Sequence, residues 1–474
     1  MTTKSVRCLL AAASLLSLPA SAQEQGTGPE QQEGSFTLVD SGSFRLKAGF
    51  EAGLQAVAQH NAFWRLGDSF APGSGFKVSP SWGESYIKPY LTFGMDAGNH
   101  RLYGKMSVIA SHTAGTDVFD RTGQSAIEIE DAFVGLRNDI FDVSVGSQPY
   151  RLGTGMLLSD GGGDGFERGA LIFGPRAAWE MTAIGRLSLG KTRLEGFYLD
   201  PRELESGDTG TRIAGASLVH EVAPGRSLGI GAGQVLESSA LWVQAAPGGA
   251  GVPVFIPDGR DGMRFVTAWG NWAVDDRLSV SADFAYETNE ASDMKAWAGR
   301  VQVSYAFPDL PFQPRIGYGY QTFSGDDPDT PELERFDPLF YDGSPSGWGS
   351  GANASLVFLN TNVAAHQIWA AATLSPRDFL TFRYFHVRAN ELLSPLQFGQ
   401  GTRLDPGGSP TLISGVRDSH LSDDLYAEYT RVLSPHAFLT VGGGVSFPGR
   451  GIRELRAGQN DVWPGAFANL VVRF

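Results

Sequence analysis

Apolar and polar positions alternate with a period of two along much of this chain, in short runs broken by Gly, Pro, Asn and Asp. In RLSVSADFAYE, Leu278, Val280, Ala282, Phe284 and Tyr286 fall on one face, and Ser279, Ser281, Asp283 and Glu287 on the other. Such a period belongs to a strand whose two faces meet different surroundings. The closing run WPGAFANLVVRF repeats it, with Ala468, Leu470, Val472 and Phe474 on one face and Asn469 and Arg473 on the other. Lipid against the apolar face and water against the polar one is the situation of a strand in a transmembrane barrel.

Extended along the chain, the pattern predicts eighteen strands: 44–58, 84–96, 99–111, 124–137, 139–148, 176–190, 191–201, 211–222, 225–236, 261–274, 277–287, 294–307, 312–324, 363–374, 378–389, 419–433, 436–447 and 463–474. Their links alternate in length. Short ones fall at Ala97-Gly98, Asn138, Gly190, Ala223-Pro224, Asp275-Asp276, 308–311, 375–377 and 434–435. Long ones separate them at 59–83, 112–123, 149–175, 202–210, 237–260, 288–293, 325–362, 390–418 and 448–462. Outer-membrane barrels carry short periplasmic turns and long outer loops. The expected fold is therefore all-β, a transmembrane antiparallel barrel of about eighteen strands.

The amino-terminal residues fit that location. Lys4 and Arg7 precede CLLAAASLLSLPA, which is too short to span a bilayer, and Ala20-Ser21-Ala22 reads as a cleavage site. We expect a signal peptide at 1–22, a periplasmic amino-terminal segment at 23–43 and the barrel at 44–474. Cys8, the one cysteine, lies inside the leader, which excludes disulfides, thiolate metal sites and cysteine nucleophiles from the mature chain. The formal net charge of −14 becomes more negative once Lys4 and Arg7 are removed, and a surface of that sign does not suit nucleic acid. No run after Ala22 has the length of a membrane helix.

The stretch AWAGRVQVSYAFPDLPFQPRIGYGYQTFSGDD followed by RFDPLF at 335–340 resembles the alginate export family of eighteen-stranded outer-membrane barrels. Pro314-Arg315 stands at that family's Pro-Arg strand start, Ser324-Gly325-Asp326 at its Ser-Gly-Asp loop, and Phe336-Asp337-Pro338-Leu339 at its Phe-Asp-Pro-Leu segment. IEDAFVGLRN and VSVGSQPYRLGTGMLLSD are similar to a second pair of family strands, with Ser147 where the family has Arg. The resemblance implies a channel for an anionic polysaccharide. The exporter that names the family is gated by a long periplasmic turn, whereas the periplasmic links here are short. Either a long outer loop closes this pore or it stands open.

A barrel of this size leaves a lumen whose selectivity comes from the charges lining it. By parity, Lys47, Lys88, Lys105, Arg186, Arg193, Arg300, Arg315 and Arg383 alternate with apolar neighbours. A cation at mid-membrane on the lipid face costs about 2–4 kcal/mol, so these side chains are expected to point inward as a basic ladder selecting anions. The competing reading is that they pair with lumen acids such as Glu51, Glu128, Glu195 and Asp283 and merely stiffen the wall. Phe474 is expected to end the signal for insertion by the barrel assembly machinery.

Other features yield no chemistry of their own. The eight histidines lack metal-ligand spacing, and His386, on the parity of Phe382 and Tyr384, reads as an interfacial side chain before it reads as part of a lipid hydrolase. GGGDG at 161–165 and GIGAG at 229–233 fit neither Walker nor Rossmann patterns. Trp179, Trp269, Trp272, Trp297 and Trp369 suit an aromatic girdle, or alternatively a sugar-stacking track. Asp326, Asp327, Asp329, Glu332 and Glu334 form an acidic run read as a solvated loop, with calcium as the alternative. No catalytic residue, metal ligand or cofactor is assigned. The expected function is a single-chain channel, set in outer-membrane lipid, for an anionic polysaccharide or small anionic solutes. The alternatives are a substrate-specific uptake porin for organic acids or hydrocarbons, and a structural or adhesive barrel.

Overall fold

A computed structural model describes residues 35–70, 77–116, 123–161, 166–170, 173–341, 358–396, 402–404, 411–456 and 460–474. The leader expected at 1–22 lies outside them. Eighteen strands form the wall: β1 (Phe44–Gln59), β2 (Ser81–Ala97), β3 (His100–Thr116), β4 (Ser125–Arg137), β5 (Phe141–Ser147), β6 (Met181–Leu189), β7 (Thr192–Asp200), β8 (Arg212–Ala223), β9 (Arg226–Glu237), β10 (Arg264–Ala273), β11 (Leu278–Asn289), β12 (Met294–Ala306), β13 (Arg315–Phe323), β14 (Val363–Ser375), β15 (Asp378–Ala389), β16 (His420–Ser434), β17 (Ala437–Pro448) and β18 (Trp463–Arg473). Each pairs antiparallel with its neighbours in sequence, and β1 pairs with β18 to close the barrel. Closure satisfies every strand edge, which a hydrocarbon environment demands.

The alternation read from the sequence is the alternation of the wall. On β11, Phe284 and Tyr286 are exposed outward while Ala285 and Glu287 are buried. Short turns gather at one end. At the β6–β7 turn Gly190 adopts φ +62°, the left-handed conformation that a two-residue hairpin requires.

The seam has an addition. Within the 23–43 segment, Phe36–Asp40 forms a short strand pairing with Arg45–Ala48 of β1. β18 covers β1 from Gln59 down to Glu51, and Phe50 and Phe474 exchange backbone hydrogen bonds of 2.8 and 2.9 Å. The two segments thus occupy one edge of β1 end to end. Outside this joint, the Phe474 ring stacks on Phe50 at 5.3 Å and His436 at 4.6 Å, with Phe36 beyond at 6.3 Å.

Long outer loops fold into the barrel rather than away from it. Leu152, Leu157, Leu158 and Trp179 from the loop after β5 bury against Phe265, Phe323 and Phe336. Across the lumen, Phe63, Trp64 and Leu66 from the loop after β1 pack with Phe358, Val416, Ile452 and Trp463. Burying such aromatic and aliphatic surface contributes about 1.5–3 kcal/mol per large side chain, enough to hold a loop inside a polar-lined lumen.

Candidate functional site

The lumen cations divide by what they meet. Lys88 on β2 and Lys105 on β3 both place Nζ 3.1 Å from Asp131 Oδ2 on β4. Asp131 is fully buried and also accepts from Ser107 Oγ at 2.6 Å, and Lys88 donates to the Pro175 carbonyl at 3.0 Å. Arg186 on β6 donates to Glu195 on β7 at 2.5 Å, and Glu195 accepts from Tyr150 Oη at 3.0 Å. Arg300 on β12 meets Asp283 on β11 at 3.2 Å and donates to Thr154 Oγ1 at 2.9 Å. Thr154 in turn donates to Asp283, so the tip of the loop after β5 is tied to the middle of the wall. The neighbouring Gly153 has φ +58°, and a Cβ there would lie 2.6 Å from the Trp269 ring. Of the other lumen acids, Glu51 meets Arg473 at 2.6 Å and Glu128 meets Arg176 at 2.7 Å.

Arg315 and Arg383 have no ion pair among the described residues. Arg383 on β15 lies 5.6 Å from the Tyr426 ring centroid, and its Nη1 is buried without a hydrogen-bond acceptor. Its register partner on β14 is Trp369, whose Nε1 is buried and lacks an acceptor too. Trp369 stands over Gly317 of β13, where a Cβ would overlap its ring. Burying a donor without an acceptor costs roughly 1–3 kcal/mol.

Beneath the inward loops lies a chamber of about 1160 Å³. Trp269, Trp369 and Gly153 line it together with Arg193, Arg315 and a row of polar groups, Ser279, Ser281, Gln302 and Ser304. Acids are confined to its edge, at Glu221, Asp275 and Asp276. Lys47, by contrast, sits low on β1 opposite Thr92 of β2, away from this chamber.

Several sequence readings change here. Trp269 and Trp369 face the lumen, and Trp179 is fully buried in the loop after β5, so none of the three belongs to an outer girdle. Parity assigns Trp272 to the outer face, where Arg226 lies 5.4 Å from its ring centroid, and Trp297 is exposed. In the GIGAG run, Gly229 lies beneath Trp269. In GGGDG, residues 162–165 lie outside the described residues.

The acidic run is not uniformly solvated. Asp326 is buried and accepts the Ala245 and Glu334 N–H groups at 2.6 and 2.8 Å, and burial pushes its carboxyl up to about 6. RFDPLF is an inward anchor: Phe336 is fully buried, Asp337 pairs with Arg260 at 2.5 Å, and Arg335 lies 4.4 Å from the Trp242 ring centroid. Burial brings the Arg335 guanidinium down to about 10. Arg176, expected at the start of a strand over 176–190, lies instead in the loop before β6, which begins at Met181, and as a loop cation it was not among the predicted lumen residues.

No protein-family model and no curated protein sequence matches the chain. Solved structures do. Pseudomonas aeruginosa OccK11 (OpdR) matches with a TM-score of 0.52 at 12% identity, covering 90% of this chain and 96% of that one. OccK5 (OpdH) matches at 0.52 and 10%, covering 90% and 98%. OpdK with vanillate, a structure of an outer-membrane protein of the same organism, matches at 0.52 and 12%, covering 90% and 98%. None of these is an alginate exporter, and the comparisons lend that finer resemblance no support. What they share with this chain is the fold, the closed eighteen-strand barrel of the outer membrane.

Proposed function

We propose that the protein is a substrate-specific outer-membrane channel for small organic anions, carboxylates above all. The observation that carries this reading is the pair of unsatisfied donors, Arg383 Nη1 and Trp369 Nε1, in a lumen whose other wall cations are largely neutralised. Guanidinium and indole N–H groups both match a carboxylate oxygen. Arg193 and Arg315 in the adjoining chamber extend the positive field, and Trp369 lines the same chamber with an apolar ring for the body of an aromatic acid. One of the similar structures was solved with vanillate, itself an aromatic carboxylate.

Size favours small solutes over a polymer. Two apolar loop clusters occupy the lumen, and Thr154 is hydrogen-bonded to mid-wall groups, which leaves a jointed path rather than a straight bore. The test is reconstitution in planar bilayers under a salt gradient, with benzoate-type anions and a neutral sugar compared in liposome swelling. Anion preference and faster carboxylate entry are expected. Cation preference, or equal rates for sugar and acid, would overturn the reading.

A further inference from the structure

Outside the barrel, near the extracellular ends of β15 and β16, three groups converge that the channel does not use. His386 Nδ1 lies 2.9 Å from Asp423 Oδ1, and His420 Nε2 lies 2.8 Å from Asp423 Oδ2. One ligand atom from each of the three lies within 4.8 Å of the other two. The sequence hid this: thirty-odd residues of loop separate His386 from His420, and only strand register sets the two rings 4.9 Å apart. Asp423 stands on the outer parity of β16, in line with Leu425 and Ala427, where lipid rather than lumen water is the neighbour. An ionisable group at such a position is costly and is retained where it serves a purpose.

We propose that His386, His420 and Asp423 bind a divalent transition-metal ion of the Zn²⁺ type. Two imidazoles and a carboxylate are the donor set of a zinc site that keeps one position open. With metal–ligand distances of about 2.0–2.1 Å, neighbouring ligand atoms stand about 3–3.4 Å apart; the two His–Asp spacings, which run to different carboxylate oxygens, need to open by a few tenths of an ångström, and the imidazole pair must settle within the 4.8 Å that encloses all three ligand atoms. Each imidazole reaches the metal through the ring nitrogen that faces Asp423, with its proton on the other ring nitrogen, and the carboxylate binds in its ionised form. Tyr384 Oη, 2.6 Å from Asp423 Oδ1, orients the carboxylate from outside the metal shell. Arg388, the nearest cation along β15, donates to Ser419 Oγ at 2.7 Å. His366 stands apart, with its ring 6.3 Å from that of His386 and its Nδ1 2.8 Å from Tyr318 Oη.

The ion would clip β15 to β16 at the feet of the loop 390–419, whose Leu396 and Val416 are part of the apolar packing inside the barrel. Metal occupancy would thereby brace an inward loop from the membrane side.

Untagged full-length protein, folded in detergent and stripped with chelator, is titrated with Zn²⁺ by calorimetry. One equivalent is expected, with at least a hundredfold loss of affinity in His386→Ala/His420→Ala. Tyr384→Phe should lose about tenfold, and His366→Ala should bind as the parent does. Binding undiminished in the double variant, or no saturable binding by the parent, overturns the proposal. Should the double variant lose its heat-modifiable folded band, Co²⁺ loading of the parent decides. Visible bands of a four-coordinate nitrogen and oxygen site support the assignment, and the weak spectrum of hydrated Co²⁺ overturns it.

Discussion

Two stretches of the wall, built from the same alternation, use their cations in opposite ways. Along β2–β6, Lys88, Lys105 and Arg186 each sit against a carboxylate, and Asp131 serves two lysines at once. Along β13–β15, Arg315 and Arg383 have no carboxylate within ion-pair distance among the described residues. The first stretch is neutralised and cross-linked. In the second, positive charge stays available to whatever passes. Parity therefore tells that a cation faces the lumen, and the acid across the strand tells whether it belongs to the wall or to the solute.

The contrast breaks most sharply at Asp131. Asp131→Asn leaves one buried and one largely buried lysine without a counter-charge, and stability should fall by about 3–5 kcal/mol, read from the denaturant midpoint of the folded band. A loss below 1 kcal/mol would show that the lysines are hydrated after all. Arg300 lies between the two stretches, paired to Asp283 but also holding Thr154. Arg300→Gln should cost about 1.5–3 kcal/mol and make the single-channel current noisier as the loop tip is released. Quiet current with unchanged stability would show that Arg300 does not hold the loop tip in place. Arg315→Gln with Arg383→Gln should do the reverse of Asp131→Asn: the anion-to-cation permeability ratio drops severalfold while the folded yield holds. Loss of heat stability with ion preference intact would place these two arginines with the wall.

A smaller effect concerns the loop that joins β13 to β14. Burial raises the Asp326 carboxyl from 3.8 to about 6, so the folded loop binds a proton more tightly than the unfolded one does. Its docking should be firmest below about pH 4, weaken as pH rises through 6 and stay weak above. Hydrogen exchange of the Ala245 and Glu334 amides, corrected for intrinsic rates, should show more opening at pH 7 than at pH 4. The opposite order would mean that the two N–H donors outweigh burial.

The barrel was legible because lipid imposes a period of two on every strand, and strands such as β11, β15 and β18 carry that period almost without interruption. The inward loops were not. Phe63, Trp64, Trp179 and Phe336 are core residues without periodicity, since they pack through irregular backbone onto wall residues distant in sequence. Cross-strand partners were equally hidden. Lys88 meets Asp131 only because β2, β3 and β4 adopt one particular register, and Trp369 meets Arg383 for the same reason. The strand Phe36–Asp40 is too short to announce itself, and its role is visible only from the edge it occupies.

That edge governs when the molecule can become whole. The seam joins Phe50 to Phe474, so β1 and β18 meet only after all eighteen strands have been delivered. Until then both flanks of a growing sheet are open to any passing strand in an aqueous compartment. Synthesis that stops before β18 leaves an open sheet with two adhesive margins. For this architecture, completion is a property of β18, and quality control that inspects that strand inspects the whole barrel.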